Sequence, residues 1–560
     1  MRVLVATAVL AFAACQPAAP APDAIYYGGT VYTGVDGAPT AEAVAVKDGK
    51  VLAVGKSDAL VKTGKPTTKL IDLKGAFLYP GFTDAHAHLY GIGEREQTLD
   101  LDEIASIAQL VQVVGDAAKG APVGQTLQGR GWIETHWPEK RFPTRQDIDA
   151  VTGDRPTILT RADGHALLAN TAALKAAGID GKTTSQPDGG RIEVDAKGLP
   201  TGMLIDNAMG KLSSLEVEPT SEAIDKTYEV GAAKYASFGW TGVHNMSAPA
   251  GHISHINALS DAGKLPLRVY NAVDAGGLKD GGPGKFGEGV IGRTVSGLVI
   301  TRALKLYMDG ALGSRGALLE APYSDRPDIS GLQRAKEDET LAILKRAYDE
   351  GVQVSFHAIG DKGNATVLDW MEKTFATVPA EEKAKRDPRW RIEHAQILRP
   401  ADIPRFKADG IIPSMQPSHA IGDLYFAPDR LGPDRLAGAY AWRALLDSGS
   451  IIAGGSDAPV EQGDPRIEFY AAVARKDLKG NSGENWHPEQ KVTREEALKM
   501  FTLWPAFASF REKELGTIEP GKIADFTAFS GDIMAIPEAE ILKVEPRMTV
   551  IAGAVAWPKS

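Results

Sequence analysis

Phe77-Leu78-Tyr79-Pro80-Gly81-Phe82-Thr83-Asp84-Ala85-His86-Ala87-His88 is a largely apolar run that ends in two histidines one residue apart. A short apolar run bounded by a polar loop reads as a buried strand. Side chains two apart in a strand share a face, so His86 and His88 can meet one cation if the strand conformation persists to residue 88. A strand that delivers its chemistry at its C-terminal end is the repeating unit of a (β/α)8 barrel.

Seven more short apolar runs follow, at residues 241–246, 267–272, 303–308, 353–356, 390–393, 411–415 and 451–454, making eight with the run at 77–86. Helical-looking stretches such as 340–349 and 494–502 separate most of them. Strand–helix alternation repeated eight times predicts an α/β chain with a closed TIM barrel over residues 77–509. The gap of about 150 residues between the first two runs far exceeds a normal crossover, so residues 95–235 are expected to form an insertion after the first strand. Alternating runs near both chain ends, Ala43-Val44-Ala45-Val46 and Val51-Leu52-Ala53-Val54 at one and Met548-Thr549-Val550-Ile551 at the other, predict a small β-sandwich from residues 23–76 and 510–560.

The ends of the later runs carry metal-ligand residue types. Lys305 lies within Ala303-Leu304-Lys305-Leu306-Tyr307-Met308. A lysine inside a barrel strand is costly unless paired or chemically altered. Burial favours the neutral amine, which can add CO2 to become an anionic carbamate able to bridge two cations. The alternatives are an ammonium reaching the barrel mouth or paired with Asp309. His357 and His394 end the fifth and sixth runs. Asp457 follows Gly454-Gly455-Ser456 after the eighth, where a carboxylate is also a common helix cap. Four histidines, a lysine and an aspartate at strand ends converge on one face of such a barrel.

These motifs resemble the amidohydrolase superfamily: Gly81-Phe82-Thr83-Asp84-Ala85-His86-Ala87-His88, the strand-borne Lys305, His357, His394, Gly455-Ser456-Asp457 and the closing Gly516-Thr517-Ile518-Glu519-Pro520-Gly521. The long first insertion, with Arg161-Ala162-Asp163-Gly164-His165 and Ile392-Glu393-His394-Ala395-Gln396, is similar to the long branch that includes N-substituted formamide deformylases. The resemblance implies two divalent metal ions, with zinc the leading choice. It places His86, His88 and Asp457 on one ion, His357 and His394 on the other, and a carbamate on Lys305 between them. It further implies a metal-activated hydroxide attacking a carbonyl carbon, with Asp457 the catalytic proton acceptor and then donor.

His165, His419, Trp132, Arg161 and Arg315 are the residues expected to bind substrate, because they set aromatic surface and hydrogen-bonding groups on the insertion and the later loops. Hydrolysis of a C–N bond in a small amide-type molecule is the leading reading. Deamination or lactone and ester hydrolysis would use the same site, and a surface binding lipoprotein without catalysis is the reading from another class.

A net charge of −10 disfavours a general nucleic-acid binder, and the single cysteine, Cys15, excludes a disulfide framework. Met1-Arg2 and the apolar stretch that follows read as an export signal. The signal ends in Phe12-Ala13-Ala14-Cys15, which resembles a bacterial lipoprotein cleavage box, and a Pro/Ala tether runs to residue 22. A plain signal peptide is the alternative. The expectation is a periplasm-facing lipoprotein of the outer membrane, part of the bacterial cell envelope, that touches the membrane only through its N-terminal lipid. A homo-oligomer is compatible with this composition.

Overall fold

The structure, a computed structural model, describes residues 20–121, 125–179, 181, 186–215, 219–277, 292–483 and 486–558. Cys15 and the signal region therefore lie outside the described residues. No helix among those described is long and apolar enough to cross a membrane.

Eight parallel strands stand side by side in chain order: Phe82–Ala87, Trp240–Ala248, Arg268–Asp274, Val299–Tyr307, Gln353–Ala358, Arg391–His394, Ile412–Met415 and Ala453–Gly454. The barrel closes beyond the two-residue last strand, where Asp457 N–H donates to the His86 carbonyl at 2.7 Å and His88 N–H to the Ala458 carbonyl at 2.8 Å. The seam between first and last strands is thus made by the segments that bear three of the candidate ligands. Register does the rest, pairing Tyr307 with His357 and Ala358 with His394 on successive strands.

The expected first strand is two strands. Phe77–Pro80 pairs with Phe526–Phe529 and Thr30–Tyr32 in a six-stranded terminal sheet, and the barrel strand begins at Phe82. Gly81 makes the transition: a Cβ there would lie 2.3 Å from the Thr241 hydroxyl oxygen, so only glycine passes. The six-stranded sheet also includes Pro546–Ile551 and Ala554–Trp557, and it faces a four-stranded sheet of Lys50–Gly55, Ala43–Lys47, Ala24–Tyr27 and Lys69–Asp72. Tyr26, Val44, Leu78, Phe526 and Val550 share their buried core.

The insertion has a mixed six-stranded sheet of its own, running from Leu99–Asp100 to Pro200–Asp206. Its helix Ile107–Gly120 covers this sheet through Leu110 and Val114, and Trp132 and Trp137 lie in the same core. The last part of the expected insertion belongs elsewhere. Ser221–Phe238 is an 18-residue helix whose Tyr228, Ala232 and Tyr235 join the barrel core. Its apolar face is satisfied by the barrel, where Gly93 lets the backbone at Thr227 approach.

Candidate metal centre

His86 ends its strand inside the barrel, and His88 stands at the start of the helix Leu89–Arg95. Their Nε2 atoms lie 3.3 and 3.0 Å from the same oxygen, Oδ1 of Asp457. Lys305 Nζ comes across the barrel to 3.3 Å from His86 Nε2. The His394 ring centroid is 4.8 Å from that of His86 and 4.5 Å from that of His357. All six residues singled out at the strand ends therefore meet at one mouth of the barrel.

One grouping differs from expectation. His394, His419 and Asp457 offer ligand atoms within 4.8 Å of one another, as do His86, His88 and Asp457. His419, expected to touch substrate, has Nε2 3.5 Å from Asp457 Oδ2. Asp457 is common to both groups. His357 points Nε2 toward Asp309, at 3.5 Å. Asp309 is not the partner of Lys305; its carboxylate takes backbone N–H groups of Leu318, Ile359 and Gly360 at 2.8–3.0 Å.

Partners on the outer ring nitrogens aim the imidazoles. His86 Nδ1 meets Glu393 Oε2 at 2.6 Å, His88 Nδ1 meets the Met246 carbonyl at 3.1 Å, and His394 Nδ1 meets Gln416 Oε1 at 2.8 Å. Each partner is an acceptor, so Nδ1 carries the proton and Nε2 keeps its lone pair. Glu393 is itself fixed by Arg391, whose Nη2 donates to Oε2 at 3.0 Å and to Ser414 Oγ at 2.7 Å, while Nη1 reaches His244 Nδ1 at 2.8 Å. The sequence reading gave Arg391 and Glu393 no role. Their signal was there: two charges two residues apart on a buried strand share a face.

Charge at the mouth suits cation binding. Burial raises the Asp457 carboxyl, but His86, His88 and His394 outweigh it and hold it well below its usual range. Burial and neighbouring histidines push His357 well down, and burial does the same to His394 against the pull of Asp457. Burial brings Lys305 down to about 8, opposed by Glu393 and Asp457. The centre thus presents a carboxylate, the imidazoles of His357 and His394 held toward their neutral form, and an amine within reach of its neutral form. His394 and Asp457 hold left-handed backbone, φ +73° and +63°. Such conformations cost a non-glycine residue about 1–3 kcal/mol and persist where surroundings impose them. Nε2 of His357 and of His419 are buried with no hydrogen-bond partner among the described residues. A divalent cation would satisfy this donor set, so the residues present fit one.

The sequence profile described as the amidohydrolase family matches residues 69–556. The chain belongs to the amidohydrolase family. It is 34% identical over 548 residues to YtcJ of Bacillus subtilis (strain 168), whose name places it among amidohydrolases, covering 96% of this chain and 100% of that one. It is 28% identical to the N-substituted formamide deformylase of Arthrobacter pascens, covering 93% and 95% of the two chains. Among solved structures, a metal-dependent hydrolase from Pyrococcus horikoshii OT3, itself described as uncharacterized, superposes with a TM-score of 0.72 at 26% identity, covering 92% of this chain and 99% of that chain. This amidohydrolase is therefore a metal-dependent hydrolase, of a type that acts on C–N bonds other than peptide bonds.

The cavity above its centre has two lobes, of about 230 and 440 Å3, which share His165, His357, His394 and Asp457. Gly131, Ile133 and Asp163 of the insertion wall the first lobe, so the insertion roofs the site. Two expected substrate residues are elsewhere. Trp132 is fully buried in the insertion's core, its Nε1 donating to the Leu159 carbonyl at 2.9 Å; an inserted sheet needs an aromatic core of its own. Arg315 is spent on Asp325, at 2.7 Å, outside the lining of both lobes. Arg161 does line the cavity, but its charge is taken by Glu134 at 2.8 Å and by Asp163. His165 lines both lobes, with Nδ1 2.6 Å from Asp206 Oδ1.

Proposed function

We propose that this amidohydrolase cleaves the C–N bond of a small amide-type molecule, adding water to give a carboxylic acid and an amine. The observation that carries the reading is the convergence of His86 and His88 on one oxygen of Asp457, with Lys305 at His86. His86, His88 and Asp457 would hold one divalent ion and His357 and His394 a second, with zinc the leading choice for an imidazole and carboxylate set. When bound, such ions supply Lewis acidity and lower the pKa of water toward neutrality.

The chain's own groups do the rest. Lys305, hydrogen-bonded to an imidazole nitrogen rather than a carboxylate, is the residue whose amine would add to CO2, forming an N–C bond with loss of one proton, and the carbamate would supply oxygen ligands for the ions. Asp457 accepts the proton of the attacking water and returns it to the leaving nitrogen. His419, beside Asp457, and His165, which Asp206 holds toward its protonated form against the effect of burial, would donate to the oxygen on which charge develops. Closure of the cavity by the insertion excludes bulk water from these charges.

The test is a screen of metal-loaded protein over N-acyl amino acids, formamides, cyclic amides and lactones. Release of amine with carboxylic acid supports the reading. Ammonia release, or turnover of lactones alone, contradicts it. The export signal leads us to propose further that Cys15 is lipidated and the enzyme faces the periplasm. Labelling with a radioactive fatty acid that persists in a Cys15→Ser variant would contradict the anchor.

A further inference from the structure

Three arginines line the two lobes of the cavity, and they are not equivalent. Arg161 is neutralised by Glu134 and Asp163. Arg334 has Nη1 4.0 Å from Asp206 Oδ1 and Nη2 on Asn207 Oδ1 at 2.9 Å. Arg130 has no carboxylate within 4.0 Å among the described residues. The one hydrogen bond of its guanidinium among the described residues runs from Nη2 to the Ala162 carbonyl at 3.1 Å. Nη1 donates to no described atom, and Nε is buried without a partner.

The local fold keeps this guanidinium open. Arg130 sits in the strand Leu127–Trp132, flanked by Gly129 and Gly131, at the inner end of the insertion sheet. Gly164 passes over it so closely that a Cβ there would stand 3.1 Å from Nη2, and Gly164 has φ +69°. The same lobe is lined by His88, Lys305 and Tyr307 and by four carboxylates, of which Asp163 is paired with Arg161, Asp206 with His165 and Asp457 with His88, while Asp274 lies at the end of its strand. Asp163, Glu94 and Asp457 act on this guanidinium only from beyond ion-pair distance; a buried guanidinium without a directly paired carboxylate is costly, and the geometry of its fork matches one.

We propose that Arg130 receives a carboxylate of the substrate, so that the compounds hydrolysed are N-acyl amino acids or related amides that carry an acid. This rests on the C–N hydrolase reading for the class of bond, while the carboxylate site is a property of the cavity itself. The acid anchors the substrate at the insertion, and the scissile amide lies toward Asp457. Arg315, expected from the sequence to bind substrate, is occupied by Asp325.

Calorimetric titration of the metal-loaded, full-length mature protein tests it with N-acetyl derivatives of glycine, phenylalanine and glutamate, each as free acid and as carboxamide. The wild type should bind at least one acid 10-fold or more tighter than its carboxamide. Arg130→Met should bring that ratio near one and leave carboxamide affinity unchanged, and Arg130→Lys should keep part of it. Where Arg130→Met loses the native circular dichroism spectrum, Arg130→Gln takes its place. Equal binding of acid and carboxamide across the panel, or a preference that survives loss of the guanidinium, overturns the proposal. Hydrolysis of the same pairs separates the two readings. An acid preference lost in the variant, without turnover of any compound, leaves Arg130 in place and removes the C–N reading. Turnover of acid and carboxamide with the same kcat/KM in wild type and variant does the reverse.

Discussion

Glu393 Oε2 lies 2.6 Å from His86 Nδ1, and Arg391 holds Glu393 from the same strand. The carboxylate is fully buried, and burial alone would raise its pKa; Arg391 and His86 outweigh that and hold it well below the usual range. It therefore fixes the tautomer that leaves His86 Nε2 bare toward Asp457 and Lys305. Replacing Glu393 by Gln should lower metal affinity by about 10- to 100-fold, as loss of an outer-shell partner does. Chelator competition measures this directly, and an unchanged affinity would remove Glu393 from the centre. Glu393→Ala should in addition cost about 3–5 kcal/mol of stability, since it strands Arg391 without its partner.

Lys305 offers its nitrogen at the His86 face of the centre and is buried. Lys305→Ala should lose both bound metal and turnover. Short carboxylic acids such as propionate, added to the variant, should restore part of the rate if their oxygens stand in for those of the proposed carbamate. Full activity in Lys305→Ala would show that the bridge is another group.

Trp132 and Trp137 have ring centroids 6.0 Å apart in the insertion's core. Trp132→Ala should cost about 3–5 kcal/mol, as large-to-small changes of buried aromatics do. Trp132→Phe should retain most of the stability and keep KM unchanged. A raised KM in a Trp132→Phe protein of normal melting temperature would put the ring back in contact with substrate.

Burial raises Asp423, at the cavity wall, to about 7, with hydrogen bonds from Tyr440 and Gln396 opposing it. A raised folded-state pKa means that the native chain retains a proton which the unfolded chain has lost above about pH 4. The contribution of Asp423 to stability therefore falls as pH rises from about 4 to 7 and is level above that. Asp423→Asn should accordingly gain stability relative to wild type at pH 8 compared with pH 5. Thermal melts at the two values check the sign, and a parallel pair of curves contradicts it.

Much of the barrel is legible because a buried parallel strand is a short apolar run, and all eight runs carry a strand. The division at Gly81 is not legible from periodicity. Residues 77–80 and 82–87 are both apolar, and what separates them is the approach of Thr241 from another strand. Most of the helix Ser221–Phe238 falls in the long gap before the second run, and amphipathic spacing shows which of its faces is apolar but not which core receives it. At the centre, His86, His88, Lys305, His357, His394 and Asp457 stand out as unusual residue types at strand ends. Glu393 does not, because a carboxylate beside His394 in sequence serves His86 instead. Arg315 and Arg161 look alike in sequence to Arg130; only the positions of Asp325, Glu134 and Asp163 show which guanidinium is left open.

Everything proposed for the chemistry depends on these strand ends gathering one divalent-metal centre around Asp457. Elemental analysis of the purified, metal-reconstituted protein, beside Asp457→Asn and His86→Ala variants that melt cooperatively, tests it most directly. The expected result is two ions per wild-type chain, as in a two-metal hydrolase, and loss of one or both in each variant. A wild-type chain that binds no metal, or variants that keep the full complement, would contradict it.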